Sequence, residues 1–158
     1  MPTTRNTLPD PAKRSSIELL NLALAEAIDL HLRAKQAHWN VRGPHFKQLH
    51  ELFDAVAEGA EDIADTLAER ATALAGVADG LAPHVTQRSR LGAFPTGPDV
   101  PWRDYVDAVA AALAALGNRA RASIESTAQA GDAATSDAFT EVTRDLDKLL
   151  WMVESHLA

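Results

Sequence analysis

Two histidines and a run of carboxylates, all between Lys35 and Arg70, are the residues whose types and spacing could do chemistry. His38 and His50 stand near the start of that stretch, and Asp54, Asp65 and Glu69 follow. Imidazole and carboxylate together are the ligand set of iron, manganese or zinc, and the residue types alone do not choose among the three. The chain contains no cysteine, which removes disulfides, iron–sulfur clusters and thiolate-bound copper(I) from consideration.

Spacing says more than type. On a helix of about 100° per residue, with His50 set at zero, Asp54 falls near ~40°, Glu58 near ~80°, Glu61 near ~20°, Asp65 near ~60° and Glu69 near ~100°. Leu49, Phe53, Val56, Ala60, Ile63, Leu67 and Leu74 fall between roughly −140° and −60°. The acidic stripe therefore lies beside the core-facing stripe, not on it. Asp54 and Asp65 are about 16 Å apart along a straight helix, whereas a metal–ligand bond is about 2.0–2.2 Å. No single ion reaches both. The residues divide into one half-site of His38, His50 and Asp54 and another of Asp65 and Glu69. A second copy packed antiparallel across a two-fold axis brings each half to its complement. The geometry predicts a metal site completed between two subunits.

The elements that must position these groups read as helices. Residues 1–14 are Pro-rich and polar and read as a flexible tail, with Arg5, Lys13 and Arg14 against Asp10. Residues 15–158 read as a single bundle domain. Ser15 with Glu18 makes a capping box that opens a first helix to about Asn40. Arg42-Gly43-Pro44 breaks it, Pro44 suits the first turn of a second helix, and that helix runs to about Ala75 with Gly76 as its stop. Gly59, in its middle, is a weak point or a point of close approach. The Gly- and Pro-rich connection over 76–101 is far longer than the ~2–8 residues usual in bundles. That length suits a crossover between two helices pointing the same way, with room for a short helix of its own. Pro101 opens a third helix to about Ala130. Gly131 ends it, and Asp132 or Thr135 caps a fourth helix ending near His156. The prediction is an all-α, four-helix bundle with one long crossover between the second and third helices, the ferritin-like arrangement.

Charge and missing motifs narrow the function. The net charge is −7. Most of it sits on the second helix, where Glu51, Asp54, Glu58, Glu61, Asp62, Asp65 and Glu69 face only Lys47 and Arg70. Such a field attracts cations and repels nucleic acid, although most charge runs are simply solvated faces. No apolar stretch approaches the ~20 residues of a membrane span and no signal peptide is evident, so a soluble cytoplasmic protein without a membrane partner is expected. Nucleophile-elbow, phosphate-loop and dinucleotide motifs are absent. There is no Glu-x-x-His, so a di-iron centre inside one bundle is not expected. Of the other histidines, His31 reads as packing and His45 as solvent-exposed, while His84 and His156 have no partner in sequence. Trp39 reads as a core or interface anchor, with electron donation to a nearby iron a secondary role.

One family shows this combination of residues. The run Lys35-Gln36-Ala37-His38-Trp39-Asn40-Val41-Arg42-Gly43, followed by Phe46, His50-Glu51 and Asp54 and then Asp65, Ala68-Glu69-Arg70, resembles the signature of the Dps family, the DNA-binding proteins from starved cells. Arg144-Asp145-Leu146-Asp147-Lys148, Leu150-Trp151 and Glu154-Ser155 extend the likeness across roughly residues 16–157. The resemblance implies a ferritin-like subunit in a hollow homo-dodecamer. It also implies ferroxidase sites between subunits, where iron is oxidised from the ferrous to the ferric state, preferentially by hydrogen peroxide, and a store of ferric mineral that protects DNA. Position by position, His38, His50 and Asp54 would come from one subunit and Asp65 and Glu69 from its two-fold mate, with Glu58 and Glu61 candidates for mineral nucleation on the cavity wall. DNA-compacting members carry several lysines in the tail. This chain does not, and the Arg88–Arg90 loop is a slender substitute. The alternative class is a nucleoid-associated, DNA-binding protein of the starvation response whose iron binding is incidental.

Overall fold

The computed structural model describes residues 4–158. Five helices account for its regular structure: α1 (Asp10–Asn40), α2 (Phe46–Ala73), α3 (Ala82–Arg88), α4 (Trp102–Gln129) and α5 (Ala133–Glu154). α1 packs along α2 and α4 along α5. The two hairpins close on each other through α1 against α4 and α2 against α5, and α3 lies against α1. Gly43, between α1 and α2, lies against the Trp102 ring at the start of α4. α2 and α4 therefore begin at the same end and run the same way, which is why the connection between them has to be long.

The apolar stripe of α2 lies where its periodicity puts it. Leu49, Phe53, Val56, Ala60, Ile63, Leu67 and Leu74 are all buried. They meet Leu20, Leu24 and Leu30 of α1, Leu113 and Leu116 of α4 and Phe139 and Leu146 of α5 in one continuous core. Gly59 marks a close approach, because a Cβ there would come within 2.9 Å of Leu149 Cδ1 on α5. Among the described residues no helix is long and apolar enough to cross a membrane.

Several boundaries differ from the sequence expectation. α1 begins at Asp10, not Ser15, so residues 10–14 of the expected tail are helical. Pro9 occupies the cap with no side-chain hydrogen bond, Pro11 sits in the first turn where its missing N–H costs nothing, and the Ser15–Glu18 pair lies inside the helix. The segment before α1 folds back on it: Lys13 Nζ donates to the Asn6 carbonyl at 2.8 Å, and Leu8 packs on the core. Residues 1–3 of the expected tail lie outside the described residues. α2 begins at Phe46, because Gly43 adopts φ 117° and its carbonyl accepts from the Phe46 N–H. That places Pro44 inside a turn, a position that suits its fixed φ. At the far end of α2 the left-handed residue is Ala75, φ 64°, not Gly76. The Ala75 N–H bonds Thr72 O and the Gly76 N–H bonds Ala71 O, a Schellman closure. Gly76 is needed for a different reason: a Cβ there would meet Ala71 O and Ile17 Cγ2 at 2.8 Å.

Candidate metal centre

The antiparallel pairing of α1 and α2 brings the end of one helix to the start of the other, and with it His38 to His50. The two rings stack, centroids 3.7 Å apart and planes 20° from parallel. Each also binds the other's backbone. His38 Nδ1 is 2.7 Å from His50 O, and His50 Nδ1 is 2.8 Å from His38 O. A carbonyl oxygen only accepts, so both Nδ1 atoms carry the hydrogen and donate. In the neutral rings this leaves the lone pairs of both Nε2 atoms available to a metal ion. A backbone carbonyl that fixes tautomer and orientation is the usual second partner of a metal-binding imidazole.

Asp54, one turn beyond His50 on α2, lies 3.8 Å from His38 Nδ1. Its Oδ1 is held by Lys35 Nζ at 2.6 Å. That hydrogen bond, with the nearby His38 and His50 adding to it, holds the Asp54 carboxyl below the usual aspartate range. Lys35 precedes His38 by three residues and shares its helix face, so the spacing contained a signal for this partner that the motif reading did not use. The Lys35 ammonium also sits 5.9 Å from the centroid of the Trp39 ring.

Asp65 and Glu69 lie farther along α2, and both are exposed. Asp65 borders an open cleft of about 570 Å³ with Glu61, Asp62, Leu24, Ile28 and Gly80. Among the described residues neither carboxylate has a hydrogen-bond or ion-pair partner. The chain thus brings His38, His50 and Asp54 together and leaves Asp65 and Glu69 elsewhere. No group of three or more His, Asp or Glu side chains among the described residues could hold a metal ion.

The ferritin-like domain model matches residues 17–158. The chain is 42% identical over 155 residues to the DNA protection during starvation protein of Agrobacterium fabrum, covering 98% of this chain and 94% of that one. The chain belongs to the Dps family of ferritin-like proteins. Solved structures agree. DpsC from Streptomyces coelicolor superposes with a TM-score of 0.94 at 30% identity, covering 99% of this chain and 91% of that one. Dps from Microbacterium arborescens in the high iron form gives 0.89 at 30% identity, covering 99% of each.

The other histidines of this Dps-family chain have local roles. His31 Nδ1 donates to Ala57 O at 3.0 Å and joins α1 to α2. His45 lies edge-on to Trp102. His84, without a partner in sequence, pairs with Asp79 at 2.6 Å. Trp39 is 66% exposed, so it is no core anchor. Leu32, Phe46, Val77, Leu81 and Trp151 are exposed with it.

Proposed function

We propose that this chain is an iron-oxidising, iron-storing subunit whose metal sites are shared between two-fold related copies. In this reading His38, His50 and Asp54 of one subunit and Asp65 and Glu69 of the other hold ferrous iron as substrate. Hydrogen peroxide is the preferred oxidant. Two ferrous ions give one electron each, the O–O bond breaks, and two protons complete two waters, so no hydroxyl radical is released. The ferric product is stored as mineral inside a hollow dodecamer, with Glu58 and Glu61 on α2 offering carboxylates to the growing solid. DNA in the cytoplasm is protected because iron and peroxide are consumed together.

The observation that carries the reading is the reciprocal His38–His50 lock. It spends both Nδ1 hydrogens on backbone carbonyls and leaves the two Nε2 lone pairs unspent, with Asp54 beside His38. The separate, unengaged pair Asp65 and Glu69 supports completion by a second copy. Lys35 has a definite role here: it neutralises Asp54 until a cation replaces it.

Anaerobic ferrous titration of the assembled protein tests this. Saturable uptake followed by ferric absorbance on adding peroxide is expected, and the absence of saturable uptake would overturn it. A second reading is direct DNA binding, one way in which a relative named for DNA protection during starvation could act. Against it, Lys13, one of the three basic groups counted in the tail, is 4% exposed and already bonded to Asn6 O. Gel retardation at low salt decides: phosphate contacts are strongest there, and no shift removes that reading.

A further inference from the structure

A cavity of about 230 Å³ lies between the first half of α1 and the second half of α4, with Arg90 of the crossover beside it. It shares no residue with the metal half-sites. Leu19 and Leu22 form much of its apolar wall. Its polar part is unusual. Glu26 is 3% exposed, in the body of a helix, and is held by Arg119 Nε at 2.7 Å. The bond is made through Nε alone, and Arg119 Nη2 is buried without a hydrogen-bond partner. Folded proteins rarely leave a buried donor unused.

We propose that this cavity binds a small monoanion with an apolar body, of the short-chain carboxylate class. The donors decide the head group. Ser123 Oγ donates to Arg119 O and Ser126 Oγ to Ala122 O, so both hydroxyls are spent as donors. The guanidiniums of Arg119 and Arg90 are the donors left, and a guanidinium suits a carboxylate in both shape and charge. The Arg119 side chain is 40% exposed and Arg90 is exposed, so both reach the mouth of the cavity, where one carboxylate, Glu26, leaves an excess of one positive charge. A dianion such as phosphate would meet repulsion from Glu26 and an apolar wall that offers its other oxygens nothing. The volume is below the ~300–1,000 Å³ of ordinary ligand pockets, which excludes nucleotides and long lipid chains.

Hexanoate is the probe. Calorimetry and saturation-transfer NMR on the full-length, assembled, iron-free protein should show saturable hexanoate binding, at least about tenfold tighter than hexanol, with no binding of hexylamine or inorganic phosphate. Leu22→Trp, a half-buried position, fills the cavity without touching the ion pair and should abolish binding. Arg90→Gln, at an exposed residue, should weaken it several-fold. His38→Ala should leave it unchanged, so the result is independent of the iron chemistry. No saturable hexanoate binding, equal affinity for hexanol, or full binding by Leu22→Trp would overturn the proposal.

Discussion

The two ends of α2 carry similar ligand-type side chains in opposite states. At the start, His50 and Asp54 each have a partner within the chain, His50 through the His38 carbonyl and Asp54 through Lys35. Farther along, Asp65 and Glu69 stand in solvent. The first half-site is oriented by its own chain; the second is held in place only by the helix that carries it. Orientation is the harder requirement for imidazole, whose ring must face the ion with a chosen nitrogen, than for a carboxylate, which offers two equivalent oxygens. The division of labour follows from that difference.

Breaking each half separately should expose the contrast. His38→Ala removes one proposed ligand and the ring stacked on His50, while the His38 carbonyl that holds His50 Nδ1 remains. Losing a group that merely orients a metal ligand costs about 10–100-fold, so with a ligand itself gone stopped-flow oxidation should fall by at least about 100-fold. Asp65→Ala should slow oxidation by a similar factor yet leave the melting temperature of the subunit fold unchanged, because among the described residues its carboxylate has no hydrogen-bond or ion-pair partner. A large loss of stability in Asp65→Ala would contradict the account of the second half-site.

The far end of α2 offers a purely structural counterpart. Arg70 donates from Nη2 to Asp132 at 2.9 Å and from Nε to Thr135 Oγ1 at 2.9 Å, fastening α2 to the capping residue of α5. Asp132 is 2% exposed. Arg70→Ala strands that carboxylate, and the cost should be about 2–3 kcal/mol, below the ~3–5 kcal/mol of a fully buried pair because Thr135 still bonds it. Thermal melts should register the loss while oxidation at assembled sites continues.

Acid acts on the same point. Burial pushes the Asp132 carboxyl up, but hydrogen bonds from Thr135 and the nearby Arg70 charge outweigh it and hold the carboxyl below the ordinary aspartate range. A group lowered in the folded state contributes stability that is present in full above its unfolded pKa and lost as pH falls through the folded one. Melting temperature should therefore respond to Asp132 only below about pH 4, and Asp132→Asn should flatten that acid limb. The smallest effect belongs to Lys35→Met. Removing the ammonium that competes for Asp54 should raise ferrous affinity by a factor of about two to five, the scale of a partly exposed ion pair. A fall in affinity would show that Lys35 helps to hold the site open.

What could be read in the sequence was whatever repeats at helical period. The buried stripe of α2, the division of the ligands along its length and the long crossover all follow from spacing. The length of the crossover leaves room for a short helix without placing it, and the helix forms at Ala82–Arg88; of the two residues able to cap the last helix, Asp132 does so. The start of α1 was misread because Ser15 and Glu18 fit a capping pattern, while the true start at Pro9–Asp10 has no side-chain cap to announce it. Pairings across elements were not legible either. Arg70–Asp132 and Glu26–Arg119 join residues 62 and 93 positions apart, and periodicity states which face is polar without stating what packs there. His84 looked unpartnered for another reason: Asp79, five residues before it, meets it only because the crossover folds back on itself.

Mixed assemblies test the shared site most directly. His38→Ala and Asp65→Ala subunits, combined in equal numbers and verified as mixed, form hetero-pairs in which one of the two sites at the interface carries both lesions and the other carries none. With random pairing about a quarter of all sites should be intact, and peroxide-dependent ferrous oxidation should recover to about that fraction of the unmutated rate. Verified mixed assemblies that oxidise iron no faster than the separate mutants would contradict a site built from two subunits.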